Sequence, residues 1–335
     1  MDVLVIDQQA VSRLLSMDAC MDAMAEALAA LARSEALMPL RTVVWLPDRS
    51  GALAAMPSAL PSAGVLGIKV ITVFPGNAGT AFDSHQGAVL LFEAEHGRLQ
   101  AIVDATEVTA IRTAAVSGVA TRLLAREDAG DLAILGAGTQ ARSHLEAMLL
   151  ARPIRRIRVW SRRRAAAERF SVQEAARHGV RVEAVSSVAG AVDGADVICT
   201  VTSSSQPVLL GEWLSPGVHV NAIGAVGPGS RELDTQAIVR ARLYVDRRES
   251  ASNEAGEFIQ ALAEGAIGTD HIVGEIGEVL TGIAPGRRSA QEITLFRGVG
   301  LAVEDLAAAR LLHRLAVERG EGTRVELGGG RHDVS

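Results

Sequence analysis

A glycine turn in the middle of the chain constrains its fold more than any other sequence feature. The segment Gly136-Ala-Gly-Thr-Gln-Ala141 directly follows the apolar run 132–135 and opens a stretch with helical spacing. Such a turn between a strand and a helix N-terminus presents backbone N–H groups to a pyrophosphate. We therefore predict a dinucleotide-binding unit in which Gly136 makes the turn, Gly138 admits the phosphates and Ala141 lets the helix pack closely on the sheet.

Regular alternation of strands and helices follows this turn. Parallel strands need helical crossovers, and right-handed crossovers give a doubly wound sheet. The pattern therefore predicts an α/β Rossmann domain over 126–299. Its predicted strands are 132–135, 156–160, 181–184, 197–201, 219–223 and 243–245, and its predicted helices are 143–150, 165–177 and 187–192.

The residues before the turn have a different pattern, which is typical of an α+β fold. With 335 residues the chain is too long for one typical core, so a second domain is expected. We assign it to 1–125 together with 300–327, because a final helix over 301–318 can return to it, and we expect a flexible tail at 328–335. An antiparallel or mixed sheet is predicted from strands at 42–46, 65–73, 87–92 and 99–103, with helices that begin at Ser16 and span 107–125.

Composition argues against several classes of protein. The net charge of −6 gives no reason to expect nucleic acid or an anionic membrane as a partner. No apolar stretch reaches the ~20 residues that a membrane-spanning helix needs. Cys20 and Cys199 lie far apart in apolar contexts, which favours reduced thiols and a cytoplasmic location over a disulfide. The eight histidines show no metal-ligand spacing, so no metal site is expected.

The end of the second predicted Rossmann strand indicates which cofactor is preferred. An NAD site usually has an Asp or Glu there, which accepts a hydrogen bond from the ribose 2′-OH. This chain has Ser161-Arg-Arg163 instead. A hydroxyl and guanidinium groups suit a dianionic 2′-phosphate, so we predict NADPH, with NADH as the alternative. A solvated basic helix start is the other interpretation, because four more arginines lie between 155 and 164.

Three basic residues of the first domain stand alone in apolar surroundings. They are Arg41, Lys69 and Arg112. A lysine within a run of aliphatic residues is costly to bury without an anionic partner. Three convergent cations would hold the α-carboxylate of a substrate. Internal salt bridges are the alternative, with Glu93, Asp104 or Glu107 as candidate partners.

A series of short motifs occurs along the chain in a definite order. The motifs are Met38-Pro-Leu-Arg41, Met56-Pro57, Gly67-Ile-Lys69, Asp104-Ala-Thr-Glu-Val-Thr-Ala-Ile-Arg-Thr-Ala-Ala115, Gly136-Ala-Gly-Thr-Gln-Ala141, His219-Val-Asn-Ala-Ile-Gly224, Arg231-Glu-Leu233, Gly274-Glu275 and Gly286-Arg287-Arg288. Together they resemble the ornithine cyclodeaminase/mu-crystallin family, from about residue 36 to 319.

The resemblance implies a homodimer whose N-terminal domains pair, with a Rossmann domain inserted between Asp131 and roughly Arg297 and an active site in the cleft. Activities known in the family are ornithine and lysine cyclodeamination, alanine dehydrogenation and reduction of cyclic ketimines. Residues expected to bind substrate are Arg41, Met56, Lys69, Arg112 and Val226, with Lys69 as the catalytic residue. Residues expected to bind the cofactor are Thr113, Gly136, Gly138, Thr139, Gln140, Ser161, Arg162, Arg163 and Thr202.

One departure from the family pattern decides between these activities. Cyclodeaminases carry an Asp where this chain has Val226, and that carboxylate is thought to act on the substrate amino group. Valine cannot accept a proton, whereas reduction of a ready-made imine does not require amine deprotonation. We therefore predict an NAD(P)H-dependent reductase of cyclic ketimine carboxylates. The alternatives are a cyclodeaminase or alanine-type dehydrogenase, and a non-catalytic protein that binds NADPH or another small ligand.

Overall fold

The computed structural model of the chain describes residues 2–77 and 79–328. These residues form two compact units. The first contains the described residues of Met1–Arg112 and Leu301–Ser335, and the second is Thr113–Gly300. The first boundary therefore falls at Arg112, inside a helix, and not after 125 as the sequence pattern suggested. Apart from Gly328, the predicted tail at 328–335 lies outside the described residues.

Strands and helices alternate along most of the described chain. The strands are β1 (Asp2–Ile6), β2 (Thr42–Trp45), β3 (Ala52–Leu60), β4 (Val65–Val73), β5 (His85–Glu93), β6 (Leu99–Asp104), β7 (Asp131–Leu135), β8 (Arg156–Trp160), β9 (Val182–Ala184), β10 (Val197–Thr200), β11 (His219–Ala222), β12 (Arg242–Val245), β13 (Ile272–Glu275), β14 (Thr294–Arg297) and β15 (Thr323–Glu326). The α-helices are α1 (Gln8–Leu14), α2 (Met17–Ala32), α3 (Ala105–Leu124), α4 (Thr139–Ala151), α5 (Arg164–His178), α6 (Val188–Val192), α7 (Thr235–Arg240), α8 (Arg248–Glu254), α9 (Gly256–Ala263), α10 (Ile276–Leu280) and α11 (Ala302–Arg319).

The first unit is built on a mixed sheet in the order β15-β1-β6-β5-β4-β3-β2. Only β1 and β6 are parallel neighbours in it, and the other pairs are antiparallel. The mixed sheet was predicted, but β3 was not, because its sequence is rich in alanine and contains Pro57, which are poor strand formers. Ser16 caps α2 as predicted, with its side chain accepting from the N–H of Ala19.

One face of β4 points toward helix α11. Val65, Gly67, Lys69 and Ile71 are buried, so these alternate residues share that face. A Cβ atom on Gly67 would lie 2.9 Å from a methyl carbon of Leu306 on α11. The glycine therefore lets the helix approach the strand two residues from Lys69.

The second unit is an eight-stranded sheet in the order β13-β12-β14-β11-β10-β7-β8-β9, and all of its strand pairs are parallel. The chain runs outward from β7 through β8 and β9 and then returns to β10 on the other side. The predicted doubly wound α/β fold is confirmed. In such sheets ligands bind at the carboxyl ends of the strands where the winding reverses, which here lies between β7 and β10.

Within the part of the chain that the structure describes, no helix combines the length and apolar character needed to cross a membrane.

Candidate active site

The glycine turn connects β7 to α4 in a conformation that only glycine adopts readily. Gly136 has a φ of 127°, and a Cβ atom there would lie 2.7 Å from the carbonyl oxygen of Val201. Its N–H donates to the carbonyl of Trp160 at 2.8 Å. The turn therefore lies against the ends of both β8 and β10, at the reversal point of the sheet.

Space and unsatisfied polar groups surround the next residues of the turn. Gly138 is the N-cap of α4, no side chain caps the helix, and a Cβ atom on Gly138 would meet no atom within 4 Å. Thr139 is exposed, and the Oε1 atom of Gln140 is buried with no hydrogen-bond partner in the described residues. An uncapped helix N-terminus with open space in front of it fits a pyrophosphate, so these residues can hold a nicotinamide dinucleotide.

A buried histidine supports the first turn of α4. His144 Nδ1 lies 2.8 Å from the carbonyl oxygen of Gln140, and its Nε2 lies 2.9 Å from Ser117 Oγ on α3. Burial lowers the pKa of His144 to about 4, so the ring is neutral and can donate through Nδ1 while it accepts at Nε2. The sequence did not predict a role for His144, since a lone histidine on a helix has no distinguishing pattern.

Arginines crowd the end of β8, but they divide into two groups. Arg162 and Arg163 are exposed, and neither forms an ion pair within 2–77 and 79–328. Ser161, which precedes them, is half-buried. The other four arginines have acceptors within the protein. Arg155 bonds to the carbonyl oxygen of Asp128, Arg156 and Arg158 pair with Asp131, and Arg164 pairs with Glu168. Because Trp160 contacts the turn at Gly136, the two remaining arginines lie at the edge of the sheet that carries the glycine turn.

Thr202 follows β10, and a buried carboxylate holds it. The N–H and the hydroxyl of Thr202 both donate to Glu232 Oε1 at 2.6 Å, while Thr200 Oγ1 and the N–H of Gly224 donate to Oε2 at 2.9 and 2.7 Å. Burial raises the pKa of Glu232. The single hydroxyl hydrogen of Thr202 is thus used in the bond to Glu232. Toward a ligand, its oxygen can only accept a hydrogen bond. Glu232 lies in the motif Arg231-Glu-Leu233, but its bonds to the segments that follow β10 and β11 were not predicted.

The two other predicted residues of this unit lie apart from the turn in sequence. Thr113 is half-buried at the start of the second unit, and its carbonyl oxygen lies 3.4 Å from Ser117 Oγ. Val226 follows β11 and is 51% exposed. An aliphatic side chain is thus exposed at the position where the resemblance led us to expect a carboxylate in a cyclodeaminase.

In the first unit, Lys69 is a buried ammonium group with two acceptors. Its side chain is 3% exposed, and Nζ donates to Thr109 Oγ1 at 2.9 Å and to Asp305 Oδ1 at 3.1 Å. The pKa of Lys69 is lowered from 10.5 to about 8; burial is the main cause, the positive charges of Arg112 and Arg41 act in the same direction, and Asp305 opposes the shift. A lysine with such a pKa can release a proton near neutral pH.

Arg112 lies on α3 and contacts two carboxylates of α11. Its Nε donates to Asp305 at 2.9 Å and its Nη1 to Glu304 at 2.8 Å, and all three side chains are at least 95% buried. The pKa of Asp305 is lowered by Arg112 and Lys69 against the effect of burial. Lys69 and Arg112 therefore form a network with balanced formal charge.

The carboxylates that bond Lys69 and Arg112 are not the candidates proposed from the sequence. Glu93 accepts from the backbone N–H groups of a turn at 95–98, and Asp104 accepts from the N–H of Glu107. The actual partners, Glu304 and Asp305, belong to the far end of the chain. An acidic pair inside the apolar stretch 301–309 is the signal that could have identified them.

Arg41 and Met56 complete the predicted substrate residues. Arg41 is half-buried just before β2, and its charge lowers the pKa of Lys69, so it lies within electrostatic reach of the ammonium. Met56 is buried on β3 and pairs directly with Lys69 of β4. The structure thus brings Arg41, Met56, Lys69 and Arg112 together in the first unit.

Composition contains one further signal that bears on Lys69. Lys69 is the only lysine among the 33 Lys and Arg residues of the chain. Arginine serves at every other basic position, but a guanidinium group does not give up its proton in proteins. The one lysine of the chain therefore provides a cationic group that can release a proton.

One cluster of possible metal ligands exists among the described residues, and it lies outside this network. Glu93, Glu95 and His96 approach one another on the turn after β5. Glu95 and His96 are exposed, and the carboxylate of Glu93 already accepts from three backbone N–H groups. Its geometry is that of a turn stabilised by its own acidic residue.

Known proteins resemble this chain over most of its length. The ketimine reductase mu-crystallin of Mus musculus is 43% identical over 277 residues, which cover 83% of this chain and 84% of that protein. A structure of the Delta(1)-pyrroline-2-carboxylate reductase of Thermococcus litoralis, in complex with NADH and L-proline, superposes with a TM-score of 0.94 at 35% identity, covering 96% of this chain and 100% of that one. An archaeal alanine dehydrogenase dimer with bound NAD superposes with a TM-score of 0.92 at 34% identity, covering 98% and 100%. The model of the ornithine cyclodeaminase/mu-crystallin family matches residues 1–320. The chain therefore belongs to the ornithine cyclodeaminase/mu-crystallin family, as its motifs predicted.

Proposed function

We propose that this protein is an NAD(P)H-dependent oxidoreductase that reduces cyclic ketimine carboxylates. The second unit binds the dinucleotide at the glycine turn, and the first unit binds the substrate through Arg41, Lys69 and Arg112. Two relatives support the reaction, since one is a ketimine reductase and the other is a pyrroline-2-carboxylate reductase with bound NADH and L-proline. When bound, the nicotinamide supplies the hydride that adds to the carbon of the C=N bond.

The buried ammonium of Lys69 is the observation that carries this proposal. Reduction of an imine requires one proton at nitrogen, and a general acid works best when its pKa lies near the operating pH. With a pKa of about 8, Lys69 is protonated at neutral pH and still able to give up its proton. Arg41 and Arg112 hold the substrate carboxylate, Met56 provides an apolar contact for the ring, and Lys69 protonates the nitrogen.

The exposed Val226 favours imine reduction over amine oxidation. Oxidation of an amino acid begins with a protonated amine, which must lose a proton to a base. Val226 cannot act as that base. Among the described residues of the loop after β11, the carboxylate of Glu232 already accepts from four donors. The alanine dehydrogenase likeness keeps amino-acid oxidation as the second candidate.

A direct assay separates these functions. Purified protein is incubated with NADPH and either pyrroline-2-carboxylate or piperideine-2-carboxylate, and separately with NADP⁺ and ornithine, lysine or alanine. We expect rapid NADPH consumption with the imines and slow turnover of the amino acids. Release of ammonia from ornithine without imine reduction would identify a cyclodeaminase, and NADPH binding without any turnover would identify a binding protein.

We further propose that the cofactor is NADPH. Arg162 and Arg163 are exposed, form no ion pair with the rest of the described chain, and follow the strand next to the glycine turn. The ribose 2′-phosphate of NADPH is a dianion that such guanidinium groups can bind bidentately. The NAD- and NADH-bound relatives support a nicotinamide cofactor in general, so the preference depends on these two side chains.

Replacement of Arg162 by alanine is expected to weaken NADPH binding about tenfold or more, because a charge-assisted contact to the phosphate is lost. NADH affinity should stay nearly unchanged, since NADH has no group for this arginine. Fluorescence titration with both cofactors measures the two effects. Arg164→Ala, which removes a neighbour already paired with Glu168, is the matched control. Equal losses for NADPH and NADH in Arg162→Ala would contradict the assignment.

We propose that the protein is a homodimer that associates through the first unit. β2 is an edge strand whose residues are all exposed, and Val44 is 62% and its paired Leu53 41% exposed. Exposed apolar edge strands in soluble proteins usually mark an interface. The dimeric alanine dehydrogenase supports a second copy of this chain as the partner.

The substitution Val44→Asp is expected to shift the protein toward monomers, because it places a charge in an apolar interface. Light scattering after size exclusion measures the mass directly. Val172→Asp makes the same change at a 71% exposed valine on α5 of the other unit and should leave the dimer intact. A dimer that persists in Val44→Asp at low micromolar concentration would place the interface elsewhere.

We propose a cytoplasmic location for the protein. Cys20 and Cys199 are both free and buried, which fits a reducing compartment. The substrate is a small imine or amino acid, and neither a nucleic acid nor a membrane is proposed as a partner.

A further inference from the structure

The hydrogen bonds around Lys69 have directions that its partners impose. The Thr109 hydroxyl donates to the carbonyl of Ala105 at 2.6 Å, so its oxygen can only accept from Lys69. Asp305 is a carboxylate and accepts as well. Two of the three ammonium hydrogens of Lys69 are therefore held by acceptors, and in the described residues no further partner takes the third.

The same arrangement suits the neutral amine that remains after proton release. The two N–H groups that point to Thr109 and Asp305 can stay in place, and the lone pair then occupies the direction of the lost hydrogen. The side chain is 3% exposed and therefore has little freedom to adopt other orientations. An acid and its conjugate base thus share one geometry, which reduces reorganisation during proton transfer.

Resting on the proposed imine reduction, we infer that Thr109 and Asp305 are positioning residues that hold two hydrogens of Lys69 and leave the third to protonate the substrate nitrogen. In this step one N–H bond of Lys69 breaks as an N–H bond forms at the imine, while the imine carbon receives the hydride supplied by NADPH. The products are NADP⁺, a cyclic amine carboxylate and neutral Lys69, which regains a proton from solvent.

Charged groups from α3, α11 and β5 and from the segment before β2 act on this ammonium. Asp305 of α11 favours its charge, while Arg112 of α3 and Arg41 before β2 oppose it. Glu304 of α11 acts through its bond to Arg112, and His85 of β5 responds to the charge of Lys69. Thr109 and Asp305 both accept from Lys69 and therefore stabilise its protonated form. Removal of either acceptor should lower the pKa of Lys69.

The single lysine makes this inference directly measurable. Protein grown with lysine labelled with ¹³C at Cε gives one lysine resonance, whose chemical shift against pH reports the titration of Lys69 without any need for activity. We expect a midpoint near pH 8 in the wild type. Thr109→Val and Asp305→Asn should each lower the midpoint, and Asp305→Asn should lower it more, because it also removes a negative charge. The alkaline limb of kcat for imine reduction should move by the same amount, with KM for NADPH unchanged.

Thr106→Val is the matched control, because it removes a hydroxyl of the same helix that donates to the carbonyl of His85 and not to Lys69. A midpoint near 10.5 in the wild type, or an unshifted midpoint in Thr109→Val, would overturn the inference even if Asp305→Asn fails to fold. If the midpoints shift as expected but the wild type reduces no imine, the positioning of Lys69 stands and the proposed reaction fails.

Discussion

Replacement of Lys69 by arginine is expected to lower kcat for imine reduction by about 10²–10⁴-fold, the usual contribution of a general acid. Arginine preserves the positive charge and can still bond to Asp305, but its guanidinium group does not release a proton at accessible pH. The substitution therefore separates charge from proton donation. Steady-state kinetics with an imine substrate at pH 7 measures the effect.

The pH dependence of the wild type gives the same assignment an independent test. The donor is active when protonated, and the lowered pKa of Lys69 means that this form is lost as the pH rises through about 8. The rate should therefore fall above pH 8 in the wild type, and this limb should be absent in Lys69→Arg. NADPH affinity should not change, because Lys69 lies in the unit that does not contain the glycine turn. Wild-type turnover by Lys69→Arg would remove the lysine from the chemistry.

Alanine at Gly138 should weaken NADPH binding at least about tenfold, or about 1.4 kcal/mol, without destabilising the protein. No atom lies within 4 Å of the position that its Cβ would take, and a φ of −102° is allowed for alanine. The added methyl group would therefore meet only the bound pyrophosphate. Thermal unfolding of the protein without cofactor and titration with NADPH measure the two effects separately.

Gly136→Ala provides the contrast for this experiment. Its Cβ would lie 2.7 Å from the carbonyl oxygen of Val201, at a φ of 127°. Backbone strain of this kind costs on the order of 1–3 kcal/mol, so this variant should lose stability as well as cofactor affinity. If Gly138→Ala binds NADPH as tightly as the wild type, the phosphates do not lie over this glycine.

The sequence pattern predicted elements well where burial alternates regularly. β4 begins and ends where the aliphatic run 65–73 does, and β8 spans 156–160 as predicted. The pattern missed β3 because alanine and proline give no strand signal, although pairing with β2 and β4 stabilises it in the sheet. Tertiary pairing overrides local propensity in that segment.

The cofactor half of the candidate site follows from neighbouring residues alone. The turn at 136–141 needs glycines at two positions and a helix directly after them, and the arginines at 162 and 163 follow the adjacent strand. Backbone geometry of this kind is local, so a short stretch of sequence specifies it.

Tertiary structure decides the surroundings of Lys69 in the first unit. The carboxylate of Asp305 that bonds Lys69 is 236 positions away along the chain, and Thr109 is 40 positions away. Sequence placed Lys69 among aliphatic residues and suggested a partner, but three nearer carboxylates were equally compatible with it. Whether a buried ammonium can release a proton depends on the depth of its burial and on which charges pack around it, and both arise only when distant segments fold together.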